Sequence, residues 1–427
     1  MKDYNSIEYK RSRKAYMAQC TFEYFISLLI ADAFLAKLLT SIGISDALVG
    51  IIASFTSIAF VFQLFSIFLV RARISTKRLV VSLDTLSIFL FMFIYLIPFV
   101  PTDKTTKTVL VILSVLIAYV AKYLIYSLCF KWANSYVEPT KRADYSATKE
   151  MISLFAGMIF TAIIGFVIDK YEGIGNLNGG FLFIAVSILI LNVCNFISLM
   201  MIKKEDKSEH EGDREPIGVI IINTLGNKNF RNVITLTVLW EVAKYFTIGF
   251  IGVFKTNDLL MSVFLVQVIN IFSNFIRMLI SKPFGRYSDK HSFAKGMELG
   301  MLIAAGAFFV NIFTTPKTWY LIIIHTILYS CSFAGINQNS FNITYSYVDS
   351  KYITQAMAFK NSIGGICGFG ASILAGKILS AIQAGGNTIF GIDVYGQQLL
   401  SLISFGIVLV AIIFTRKVIE KQKIIIQ

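Results

Sequence analysis

Two glutamates and two lysines carry the plainest chemistry in this chain of 427 residues. Glu23 and Lys37 stand 14 residues apart in one apolar stretch, and Glu241 and Lys255 stand 14 apart in another. Fourteen residues turn a continuous α-helix by nearly four whole turns, so each pair lies on one face. A carboxyl group in an apolar setting resists ionising and can take up and release a proton as its surroundings change. The same charges can equally form fixed ion pairs that hold helices together. The residues leave both readings open. Lys244 follows Glu241 at i+3 and can pair with it along one face. Lys122 lies in mid-stretch at a depth that Glu23 can reach. Asp32 is nine residues from Glu23, which turns it to the opposite face. It stands as a further proton-carrying candidate behind Glu23 and Glu241.

A second group is polar and uncharged. His325, Tyr329, Ser332, Asn339 and Asn342 follow helical spacing and form a stripe that suits either a solute-facing wall or helix–helix contacts. Gly364, Gly365, Gly368, Gly370 and Gly376 crowd one later stretch, where small residues permit close helix packing. No nucleophile–base pair or metal cluster stands at one depth, and no phosphate-binding loop is present. Enzymatic catalysis, a bound metal, a cofactor and ATP hydrolysis are therefore not expected. The five cysteines all fall in apolar stretches without metal spacing.

These side chains need elements to position them, and composition says which. The chain is 56% hydrophobic and 15% charged, with a mean hydropathy of +0.70. Apolar stretches longer than a bilayer crossing of ~20 residues recur, which predicts a polytopic helical membrane protein. Twelve spans are expected, at 16–40, 47–70, 79–100, 108–131, 147–168, 180–202, 233–255, 259–281, 293–314, 318–343, 357–380 and 398–415. The net charge of +14 does not point to nucleic acid here. With the N-terminus inside, 28 Lys and Arg fall in cytoplasmic segments and 5 in external loops, which places both termini in the cytoplasm. The longest polar stretch, 203–231, begins KKEDKSEHEGDREP and reads as a solvated linker. It divides an N-terminal bundle, 1–202, from a C-terminal bundle, 232–427.

The halves repeat one another. Ser135-Tyr136-Val137-Glu138 returns as Ser346-Tyr347-Val348-Asp349, and the ungapped alignment continues through Lys149 against Lys360 to Gly165 against Gly376. Eight identities fall in 31 positions. Twelve spans in two like-oriented halves describe a parallel-repeat transporter.

Gly285-Arg286-Tyr287-Ser288-Asp289-Lys290, between the eighth and ninth spans, resembles the cytoplasmic loop signature Gly-x-x-x-Asp-Arg/Lys of the major facilitator superfamily. Gly43-Ile44-Ser45 followed by Gly50 resembles the usual start of the second span in that family. The first-half copy of the loop, 71–78, keeps a basic ending but lacks the Gly and Asp. The fifth span has no Gly-Pro pair, so the signature of the drug/proton antiporters is missing.

The resemblance implies an all-α membrane protein with twelve transmembrane helices in two six-helix pseudo-symmetric bundles. The first, fourth, seventh and tenth spans would line a central cavity. Glu23, Lys122, Glu241, Lys244, His325, Tyr329 and Asn339 are then the candidate solute-binding residues. Gly285, Arg286, Asp289 and Lys290 would form a gating loop. The expected function is secondary transport of a small polar solute by alternating access, coupled to protons, by a monomer in the plasma membrane. A passive facilitator and a non-transporting membrane sensor are the alternatives.

Overall fold

The computed structural model describes residues 4, 6–65, 75–138, 142–204, 225–348, 353–389 and 392–422. Apart from short 3-10 and π turns and one hairpin of two-residue strands, the regular structure is α-helical. Contacts group the chain into two compact units. One comprises Met1–Ile44 and Phe62–Arg214, and the other Ser45–Val61 and Glu215–Gln427.

The first unit holds α1 (Ile7–Leu29), α2 (Asp32–Ser41), α5 (Thr76–Ile94), α6 (Lys104–Asn134), α7 (Arg142–Gly173) and α8 (Leu177–Met201). The second holds α3 (Asp46–Ala53), α4 (Phe55–Ala59), α9 (Lys228–Tyr245), α10 (Ile248–Val253) and α11 (Val263–Lys290). It continues with α12 (Phe293–Asn311), α13 (Leu321–Tyr347), α14 (Ile353–Ala384) and α15 (Gly396–Phe414). Polar side chains start several helices by accepting orphan backbone N–H groups: Ser6 for α1, Asn176 for α8, Asn227 for α9, Ser262 for α11 and Ser292 for α12.

Among the described residues, ten helical stretches are long and apolar enough to cross a membrane. Their outer faces carry exposed Phe155, Phe166, Ile190 and Val193, which only a lipid environment makes favourable. Residues 7–41 and α5 are not among the ten. The former is interrupted and opens with a charged turn, and α5 holds Lys77, Arg78 and Asp84 within 19 residues.

Two interruptions matter for the site. α1 stops at Leu29, Ala31 is extended, and Asp32 begins α2 with φ 46°. α9 stops at Tyr245 and α10 begins at Ile248. The first residues outside the helices, Ile30 and Phe246, fall seven residues after Glu23 and five after Glu241, at similar places in the two repeats. Backbone carbonyls freed inside a membrane need donors. Buried Tyr95 donates its hydroxyl to Leu29 O at 2.5 Å, and Ser404 Oγ donates to Ala243 O at 2.8 Å. These breaks correct the one-face reading of Glu23 with Lys37, which assumed an unbroken helix. Lys37 instead pairs with Glu172 at the end of α7.

In the second unit, α3 and α4 lie directly on α10 and α14 through glycines. A Cβ on Gly50 would run into the Phe250 ring, and one on Gly365 would run into Ser57 O. That closeness lets Ser57 Oγ donate to Gly365 O at 2.8 Å and Ser372 Oγ to Ser54 Oγ at 2.7 Å.

Candidate functional site

In the first unit, Lys122 of α6 reaches Glu23 of α1, with Nζ 2.7 Å from Oε1. Gln19, one turn earlier on α1, donates Nε2 to Glu23 Oε2 at 2.9 Å. Both carboxylate oxygens are thus held, one by a cation and one by an amide. Two half-buried charges in an apolar bundle are stable only when paired in this way. The pair also ties α1 to α6. Phe25 stacks on Phe160 of α7 with ring centres 4.6 Å apart, and Lys149 lies over the Tyr16 ring at 4.8 Å. Together these contacts fix the roll of α1.

In the second unit the pairing is local. Lys244 Nζ lies 2.5 Å from Glu241 Oε2 within α9, and also over the ring of Tyr245 at 4.5 Å. Trp240, Phe333 and Tyr329 continue from this pair as an aromatic cluster. Trp240 meets Phe333 at 6.1 Å and Tyr329 meets Phe333 at 5.1 Å, both edge to face. The Tyr329 hydroxyl is buried and has no hydrogen-bond partner among the described residues. An acid–base pair beside aromatic faces and an open phenol can bind a solute carrying both polar and planar groups.

Other candidates are turned elsewhere. His325 is buried, with Nδ1 2.9 Å from Ala307 O of α12. Asn339 is buried and donates to Gly335 O at 2.7 Å, and its amide touches the place a Cβ on Gly296 of α12 would occupy. Both residues therefore set the packing of α13 on α12. Asp32 sits half-buried at the helix break. Gly285, Arg286, Asp289 and Lys290 do not form a loop: α11 continues through Lys290 despite Pro283, and only His291 and Ser292 link it to α12. Arg286, Asp289 and Lys290 are exposed on its last turns. Half of the first-half copy of this signature, 71–74, lies outside the described residues, as does Asp349 of the internal repeat.

Sequence reasoning did not place three polar residues in the site. Gln19 was findable by its i−4 spacing from Glu23. Asp84 is buried on α5 and accepts from Asn195 of α8 at 2.5 Å, a pairing across 111 residues that spacing cannot reveal. Lys360 is buried on α14, with its ammonium on oxygens of Ser340 and Thr344.

The sequence profile of the Major Facilitator Superfamily matches residues 17–372. The chain belongs to that superfamily. The fold agrees across its length. The nucleoside transporter NupG superposes with a TM-score of 0.71 at 14% identity, covering 98% of this chain and 100% of that one. A D-xylose-proton symporter gives 0.68 at 12% identity, over 95% and 96%. The POT family transporter PepTSo gives 0.68 at 11% identity, over 97% and 99%. No curated protein matches by sequence. At these identities the solved structures carry the fold of a multi-pass membrane transporter and nothing finer.

Proposed function

We propose that this superfamily member is a proton-coupled secondary transporter of a small polar solute, working by alternating access with twelve spans in two six-helix bundles. The observation that carries the reading is the Glu23–Lys122 pair, an acid and a base from different helices held at 2.7 Å inside an apolar bundle. Protonating Glu23 removes its charge and releases Lys122. The freed ammonium can then meet an anionic group on the solute or let α1 move against α6. Glu241 and Lys244 offer the same chemistry in the second unit, beside Tyr329, Trp240 and Phe333. Asp32, at the head of α2, is the reserve carrier.

The solute is expected to combine polar or zwitterionic character with a ring that aromatic faces accept. The names of similar folds, a nucleoside transporter and a D-xylose-proton symporter, are compatible with that range. His325 and Asn339 act through the packing of α13. Gly285, Arg286, Asp289 and Lys290 act at the gate. The 28-to-5 distribution of basic residues supports cytoplasmic termini, and the plasma membrane is the expected location.

The deciding experiment is uptake of a solute panel into proteoliposomes with and without an imposed pH gradient. Proton coupling predicts accumulation above equilibrium only with the gradient, and loss of that accumulation in Glu23→Gln while counterflow exchange persists. Flux that merely equilibrates the solute, whatever the gradient, would make the protein a facilitator. No flux with any solute would favour a sensor.

A further inference from the structure

Asp84 is the anomalous charge of the first unit. It is 4% exposed, on a helix packed against α6 and α8. Its only hydrogen bond among the described residues comes from Asn195, and no cation stands within ion-pair distance there. Lys122 of the neighbouring α6 is engaged with Glu23. A buried carboxylate with one neutral donor is costly, because its charge is neither paired nor solvated.

Asn195 has the complementary defect. It is fully buried, it gives an N–H to Asp84 Oδ2, and its own Oδ1 has no donor among the described residues. An orphan buried acceptor costs roughly 1–3 kcal/mol. One proton removes both defects. A neutral Asp84 can donate its O–H to Asn195 Oδ1 while still accepting the amide N–H, closing a two-bond acid–amide pair. Turning the amide end for end sharpens the demand, since two bare oxygens would then face each other with no hydrogen between them.

We propose that Asp84 is a proton-binding site: it carries a proton in this conformation, pairs with Asn195 as an acid with an amide, and exchanges that proton with Glu23 through the position of Lys122. When Lys122 leaves Glu23 and turns to Asp84, the O–H bond of Asp84 breaks and an O–H bond forms on Glu23. Lys122 stays an ammonium throughout. Two carboxyl groups share one proton and one cation, so the net charge of the cluster does not change. The other groups that bear on Asp84 are few. α8 offers no charged residue and only Cys194, α6 adds Cys129, and α5 itself adds Lys77 and Arg78 at its start. The exchange step rests on the proton-coupled reading above; the protonated state of Asp84 does not.

The test is infrared difference spectroscopy of the purified protein at neutral pH, in H2O and D2O, joined to the proteoliposome assay. A protonated carboxyl band sensitive to deuterium is expected in the wild type. It should vanish in Asp84→Asn, remain in Glu23→Gln, and move to higher frequency in Asn195→Leu, where its hydrogen-bond acceptor is gone. An identical carboxyl band in wild type and Asp84→Asn means that Asp84 is ionised and overturns the proposal. In liposomes, a folded Asp84→Asn should lose gradient-driven accumulation. Wild-type accumulation by that variant overturns the exchange step. If the wild type itself accumulates nothing, the proton-coupled reading fails while the infrared result still decides the state of Asp84.

Discussion

Lys360 Nζ lies 3.1 Å from Thr344 Oγ1, and its remaining contacts are with Ser340, through Oγ at 3.1 Å and the carbonyl at 3.2 Å. All three acceptors are neutral. Lys122, by contrast, rests on a carboxylate. Lys360 is buried and Lys122 half-buried, and removing them has different consequences.

Lys360→Met strands no opposite charge, because no carboxylate is paired with it among the described residues. Thr344 Oγ1 already donates to Ser340 O at 2.8 Å and keeps that bond. Replacement of a buried cation by an apolar chain of similar length is then neutral or stabilising. Thermal melting in detergent should place Lys360→Met at or above the wild type. A large drop would show that the ammonium is itself a support of α14.

Lys122→Met leaves the half-buried Glu23 without its cation and should destabilise the fold, by less than the ~3–5 kcal/mol of a fully buried pair. The double variant Glu23→Gln, Lys122→Met should recover most of that loss, since neither charge remains. A double variant no more stable than the single one, measured by denaturant melts, would mean that the two residues act independently.

Asp289 is exposed on the last turn of α11 and has no partner among the described residues. A free carboxylate in that signature is available to a moving partner and remote from the glutamate–lysine pairs in sequence. Asp289→Asn should change the transport rate with solute affinity nearly unchanged. Comparing initial uptake rates with equilibrium binding checks this, and a loss of binding with a normal rate of conformational exchange would refute it.

Gly365→Ala places a methyl against Ser57 O and displaces the Ser57–Gly365 hydrogen bond. Overpacking of this kind costs about 1–3 kcal/mol. Gly370, on the same helix, faces open space. Gly370→Ala should melt at or slightly above the wild type, since alanine is the better helix former by about 1 kcal/mol. Equal melting curves for the two variants would contradict the close approach.

Asp103 supplies the pH-dependent case outside the membrane. Its carboxylate accepts from Thr106 Oγ1 at 2.6 Å and from Thr106 N at 3.1 Å at the start of α6. Those bonds to the charged form hold Asp103 below the usual carboxylate range. A depressed folded-state pKa contributes stability above the unfolded value of about 3.9, and the contribution is lost as pH falls through the folded one. The melting gap between wild type and Asp103→Ala should therefore be full at neutral pH and close in acid. A gap that widens in acid would reverse the sign.

Local patterns made much of this molecule legible. Apolar length gave the helices, and the scarcity of mid-span charge singled out Glu23, Lys122, Glu241 and Lys244. Depth alone suggested that Lys122 could reach Glu23, because a buried cation has few places to go. The helix breaks were hidden. Leu-Leu-Ile-Ala-Asp-Ala contains no proline or glycine, so nothing at residues 28–33 announces that the chain turns extended at Ala31. The reverse happened at Gly285–Lys290, where a resemblance to the family's loop signature suggested a loop and the helix ran on. His325 and Asn339 have the spacing of a solute-facing stripe, yet periodicity fixes a shared face without saying what that face meets. Pairs such as Asp84 with Asn195 depend on how α5 and α8 are packed, and that is settled only in three dimensions.

The bond between Ser57 and Gly365 closes a loop of 308 residues. Chains grow at roughly 5–20 residues per second, so about 15–60 s separate the synthesis of its two ends. During that interval the serines and glycines of α3 and α4 have emerged, and the helix they fit has not been made. A segment with Gly50 exposed and Ser57 without the Gly365 carbonyl it donates to is a poor companion for lipid and a ready one for any other helix that passes. Biogenesis thus has a vulnerable minute built into it, and the yield of folded protein depends on what shelters residues 46–59 until α14 arrives.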